Sequence, residues 1–167
     1  MTVLHIQRYP DRECGSCTEC CEGWLRTTVN GYEIYPGRPC QFVGEGGCSI
    51  HENKPEDPCK IFKCEWLTNN DIAGWMKPNK SKVIIMSRDW SYEEEPQGEY
   101  LVVVEAGQQI DSEIFDWLVN FHLNKNIPMI IQVSKEASPW SQNQKEYKFY
   151  GNEKFLKFVK TFDFSEQ

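Results

Sequence analysis

No cysteine occurs in the last hundred or so residues of this 167-residue chain, because all eight lie between positions 14 and 64. Cysteine used only as a small buried hydrophobe would be scattered through the core. Its segregation excludes that use and leaves a local purpose. The chain also has no run of about 18 apolar residues, which excludes a spanning helix. Its longest aliphatic stretches, Val83-Ile84-Ile85-Met86 and Leu101-Val102-Val103-Val104, are strand-sized. Positive charge is short, with 18 Lys and Arg against 25 Asp and Glu. A net charge of -7 and a pI near 5.0 exclude a general nucleic-acid binder, whose footprint is basic. The opening from Met1 to Pro10 lacks the basic and apolar segments of an export signal, so a cytoplasmic address is expected. Thiols persist in that reducing compartment, which turns the even cysteine count away from disulfides and toward metal.

What is present falls into two parts. Residues 1–66 read as an irregular lobe rich in glycine and proline, with a short strand-like stretch over 24–29. Such a segment buries too little apolar area to offset its ordering entropy and needs staples, which metal would supply. Residues 67–167 read as a small α/β portion packed with the lobe as one unit. After a linker-like stretch, strands are expected over 82–87 and 99–105, joined by a long polar turn over 91–98. Asp111 is a candidate N-cap for a helix whose apolar face is Ile114, Trp117, Leu118, Phe121 and Leu123, stopped by Pro128. Strands over 129–133 and 146–150 flank a loop through Pro139 and Asn143. Asn152 then caps a second helix carrying Phe155, Leu156, Val159 and Phe162. The expectation is an α+β fold: a small mixed or antiparallel sheet with about two helices, plus the metal-stapled lobe.

The cysteines are Cys14, Cys17, Cys20, Cys21, Cys40, Cys48, Cys59 and Cys64. A Cys-x-x-Cys turn aims two sulfurs at one point, and tetrahedral thiolate sites need such convergence at about 2.3 Å. Cys14, Cys17 and Cys20 repeat that spacing, as cluster-binding loops do. Consecutive side chains tend to diverge, so Cys20 and Cys21 suit two centres, or one of them stays free. Eight thiolates allow two four-ligand sites without assigning them.

The run Cys14-x2-Cys17-x2-Cys20-Cys21 is followed by Gly47-Cys48-Ser-Ile-His51 and by Asp57-Pro58-Cys59-Lys60-Ile-Phe62-Lys-Cys64. This order resembles the CxxCxxCC family of zinc- or iron-chelating cysteine-cluster proteins, with all eight cysteines in place. Beyond residue 64 the likeness is looser, and His51 stands where the family often has tyrosine. The resemblance implies metal chelation in a bacterial-type cytosolic protein and leaves the biochemical role open.

The triple spacing favours an iron–sulfur cluster, with zinc close behind, since a fourth cysteine three residues on is missing. His51 could replace a cysteine as ligand, although a surface histidine is the simpler reading. His5 and His122 have no partner at ligand spacing. Nothing singles out one thiol as a nucleophile, so no catalytic constellation is read. Glu93-Glu94-Glu95 reads as a solvated turn. The glycines of Gly44-Glu-Gly-Gly47 read as allowing close backbone approach near Cys48. Lys145, Lys148, Lys154, Lys157 and Lys160 make a charged outer face, or a docking surface for an acidic protein partner. Trp24, Trp66, Trp75 and Trp90 are expected to pack the lobe on the sheet, with Trp140 more exposed. The leading function is metal binding with an electron-transfer, redox-sensing or metal-handling role. The alternatives are a zinc-stapled interaction module and an iron–sulfur enzyme.

Overall fold

Glycine and proline punctuate the first part of the chain so densely that only short pairings form there. β1 (Thr27–Val29) pairs with β2 (Tyr32–Ile34), and β3 (Val43–Gly44) with β4 (Gly47–Cys48), both antiparallel. Single helical turns follow at α1 (Glu65–Thr68), where the lobe ends, and at α2 (Pro78–Ser81), at the end of the stretch expected as linker. The computed structural model describes residues 12–134 and 145–162. His5, Trp140 and the loop through Pro139 and Asn143 lie outside the described residues.

Longer elements begin at residue 83: β5 (Val83–Tyr92), β6 (Glu95–Glu105), α3 (Ser112–Lys125), β7 (Met129–Ser134), β8 (Lys145–Tyr150) and α4 (Glu153–Val159). The fold is α+β, with a four-stranded mixed sheet in the order β5-β6-β7-β8. β6 and β7 run parallel and the outer pairs antiparallel. A parallel pair needs a crossover, and α3 supplies it. The capping expectations hold. Asp111 accepts from the Glu113 amide at 2.9 Å and Asn152 from the Phe155 amide at 2.9 Å.

Three expectations are corrected. The β5–β6 connection is a tight turn of Glu93 and Glu94, both left-handed with φ of 50° and 66°, and the strands run on to Tyr92 and from Glu95. This backbone is the one usually signalled by Asn-Gly, so two glutamates conceal it. Leu123 is 65% exposed. It stands two residues beyond buried Phe121, about 200° around the helix and off the apolar face. Leu156 of α4 is 38% exposed, leaving Phe155 and Val159 as the buried residues of that helix.

Strand alternation sends side chains to two faces. Val83, Ile85, Leu101, Val103, Met129 and Ile131 form the main core with Leu118 and Phe121 of α3. On the opposite face Trp90, Tyr100 and Ile130 hold Phe155 and Val159 of α4. Phe155 is fully buried, its ring 5.2 Å from that of Trp90 and 5.5 Å from that of Tyr100. Phe155→Ala therefore leaves a cavity under α4 and is expected to cost about 3–5 kcal/mol. A denaturant midpoint unchanged from the parent chain would contradict this packing.

Candidate metal centre

Each cysteine is presented by a turn or hairpin closed by its own backbone bonds. The Cys17 amide donates to the Cys14 carbonyl at 2.9 Å, and the Cys21 amide to Thr18 at 2.7 Å. Cys40 is tied to this segment through its amide, which donates to the Cys21 carbonyl at 2.8 Å. Cys48 ends β4, Cys59 sits in the wide turn Glu56–Lys60, and Cys64 stands just before α1. Gly47 has φ of +127°, and a Cβ there would meet the Gly15 carbonyl oxygen at 2.9 Å. The β3–β4 hairpin thus lies directly on the Cys14 turn, as the glycines near Cys48 suggested.

All eight cysteines are free thiols and line one cavity of about 1070 Å³. Their mutual electrostatics divide them. Among Cys14, Cys17, Cys20 and Cys64 every pair but Cys17–Cys20 is coupled. Among Cys21, Cys40, Cys48 and Cys59 every pair but Cys21–Cys48 is coupled. The two sets touch where Cys21 meets Cys14 and Cys20. The Cys20 and Cys21 sulfurs are 3.6 Å apart. Their hydrogen bond, then burial, raises the Cys20 pKa, while the same bond lowers that of Cys21. Burial raises the pKa of Cys14, Cys40 and Cys59 and pushes that of Cys64 up to about 11.

As a donor set, eight sulfurs turned toward one cavity without disulfides suit zinc or iron–sulfur chemistry. Among the described residues no three His, Cys, Asp or Glu side chains stand close enough to form a ready ion site. The thiols are therefore within electrostatic reach of one another without being closed around a point. His51 is exposed on the cavity wall in the turn His51–Asn53.

Side chains that sequence reading passed over hold this lobe on the sheet. Arg12 donates to the carbonyls of Trp66 at 2.7 Å, Asn69 at 3.3 Å and Ile72 at 2.9 Å, with its guanidinium 4.9 Å from the Trp66 ring centre. Glu19, buried in the turn between Cys17 and Cys20, accepts from Lys82 at the foot of β5 and from Trp24 Nε1 at 3.2 Å. Only an acid placed inside the cysteine run hinted at the Glu19 contact.

The tryptophans divide. Trp66 is buried with Cys64 in the main core, and Trp24 packs against that core. Trp90 instead packs on α4, and Trp75 is 49% exposed with its ring edge on Trp117. Glu93 and Glu94 form the exposed turn, and His122 is half-buried with Nδ1 2.6 Å from the Ile127 carbonyl. The C-terminal lysines do not share one face. Lys148 lies over Phe115 of α3, Lys145 lines the cavity, and Lys157 pairs with Glu153 at 3.0 Å.

Comparison with models of known protein families, with curated proteins and with solved structures returns no match. No described helix is long and apolar enough to cross a membrane.

Gly47→Ala tests the close approach of the hairpin to the Cys14 turn. It meets both a left-handed backbone and the Gly15 carbonyl, so a stability loss of about 1–3 kcal/mol is expected. Gly44→Ala, where a Cβ meets nothing within 4 Å, is the control and should lose less.

Proposed function

We propose that this chain is a metal-binding protein with two four-thiolate centres. One is held by Cys14, Cys17, Cys20 and Cys64, and the other by Cys21, Cys40, Cys48 and Cys59. The observation supporting this reading is that all eight thiols line one cavity and that, apart from the contacts of Cys21 with Cys20 and Cys14, their mutual charge interactions fall into two fours. Adjacent Cys20 and Cys21 fall in different sets, which removes the difficulty of aiming consecutive side chains at one ion. The likeness of the cysteine order to the CxxCxxCC family supports metal chelation independently.

Iron–sulfur remains favoured over zinc on the Cys14-x2-Cys17-x2-Cys20 spacing. An iron–sulfur centre supplies one-electron chemistry when bound; a four-thiolate zinc site supplies folding free energy. The proposed role is electron transfer, redox sensing or metal handling in the cytoplasm. The protein's own part is to gather the thiols on one cavity, with Cys40 and Cys64 buried and the other six half-buried, on a lobe pinned to the sheet.

Anaerobic purification with metal and sulfide analysis is the first test. A brown protein absorbing near about 400 nm with iron and sulfide is expected. A colourless protein with stoichiometric zinc would sink the iron–sulfur reading, and one holding no metal after loading would sink both.

The division of ligands has its own test. Cys64→Ser and Cys59→Ser should each remove about half the bound metal, and the double variant nearly all of it. Loss of all metal in either single variant, with the helical circular dichroism retained, contradicts two separate centres.

A further inference from the structure

Beyond the last cysteine, one lysine reaches back to the thiols. Lys77 stands between buried Met76 and buried Pro78, at the junction of the turn Gly74–Met76 and α2. Pro78 keeps the residue before it out of helical backbone, and Lys77 has φ of -50° and ψ of 131°. Its carbonyl accepts from the amides of Lys80 at 2.8 Å and Ser81 at 3.0 Å, and from the Ser81 hydroxyl at 3.3 Å. The side chain is half-buried and lines the cavity. Its ammonium lies 5.0 Å from the centre of the Trp66 ring, and 3.7 Å from where a Cβ on Gly15 would stand. Gly15 adjoins Cys14, and Trp66 stands two residues after Cys64. The ammonium therefore sits beside two of the turns that carry the first set of thiols.

A four-thiolate site filled by a divalent ion is itself anionic, with a net charge of about -2. In a chain that already carries -7, a cation held nearby lowers the cost of that charge. The acids next to this set in the chain leave Lys77 to the thiols. Glu19 pairs with Lys82, the Glu65 carboxylate accepts from Asn69 Nδ2 at 3.2 Å, and Glu13 is exposed. No described acid forms an ion pair with Lys77. Burial raises the Cys14 pKa, and Lys54 and Lys77 oppose it. Lys54 also acts on Cys21 and Cys59 of the second set, whereas Lys77 stands beside the Cys14 turn.

We propose that Lys77 is the counter-charge of the centre assigned to Cys14, Cys17, Cys20 and Cys64, and that its ammonium sets how tightly that centre holds its metal. It ligates nothing and acts through its field alone. Because the charge stands at one set of thiols, the two centres differ in their response to its loss. The inference rests on the two-centre reading and adds to it a residue that distinguishes the sites. It holds for zinc and for an iron–sulfur cluster alike, since a four-thiolate centre of either kind is anionic.

Cobalt(II) titration of the reduced, metal-free full chain is the test, read by thiolate-to-cobalt charge-transfer absorption. Cys59→Ser leaves the first centre and Cys64→Ser the second. In the Cys59→Ser chain, Lys77→Met should weaken cobalt binding about tenfold, while Lys77→Arg stays within about twofold. In the Cys64→Ser chain, Lys77→Met should stay within about twofold. Methionine keeps an apolar stem over Trp66, so little packing is lost. Raising the salt to about 1 M should shrink the Lys77→Met deficit, because salt screens a charge effect and leaves a packing effect in place. Lys125→Met, outside the cavity lining and paired with Asp71 in the parent, should change nothing. If Lys77→Met loses its helical circular dichroism, Lys77→Gln carries the same test. Unchanged affinity would overturn the proposal, as would equal weakening in both chains. So would a deficit that arginine does not restore or that salt does not shrink. If either cysteine variant alone binds no cobalt, the two-centre reading has failed. Lys77→Met is then made in the parent chain, where the same loss, arginine rescue and salt effect are expected and unchanged affinity overturns the counter-charge.

Discussion

Trp66 and Cys64 are buried in the same apolar cluster as the strands of the sheet, and that shared burial gives the irregular lobe a surface to form on. The lobe's own pairings are hairpins of two or three residues per strand, which are marginal in water alone. Arg12 adds a second tie, closing three carbonyls around α1 and the turn after it. The Glu19–Lys82 pair adds a third by fixing the turn between Cys17 and Cys20 to the start of β5. With only a tenth of its side chain exposed, Glu19 is screened less than an ordinary surface partner, and losing Lys82 would leave its buried charge with the Trp24 Nε1–H bond and no ion-pair partner.

Pinned in this way, the lobe turns its thiols toward the sheet. The outcome is a cavity with sulfur on one side and an apolar strand face on the other, bordered by cations. Burial raises the pKa of Cys14, Cys59 and Cys64, and Lys54 opposes that effect at Cys14 and Cys59, joined by Lys77 at Cys14. The site therefore contains both the pressure that keeps thiols neutral and the charge that would stabilise thiolates.

The regular elements were readable because each carries a local signal. Asp111 and Asn152 mark helix starts through side-chain bonds made within three residues, and the aliphatic runs mark β5 and β6 through their length. The Glu93-Glu94 turn was not readable, since its left-handed backbone is imposed by the pairing of the long strands on either side. Trp75 and Trp90 were misplaced for a related reason. Aromatic character says that a side chain seeks contact, while the partner, Trp117 for one and Phe155 for the other, comes from distant chain.

The sequence by itself determined the α+β character, the order of the main elements and the confinement of the eight cysteines to one lobe. These depend on residue type and short-range spacing, which persist in any conformation. Only the tertiary structure decided that Cys64 joins the Cys14 set while Cys59, five residues earlier, joins the Cys21 set. It alone also brought Arg26 and Lys145 onto the lining of that one cavity. Both facts are distances between residues far apart in the chain, and such distances exist only after the lobe has closed onto the sheet.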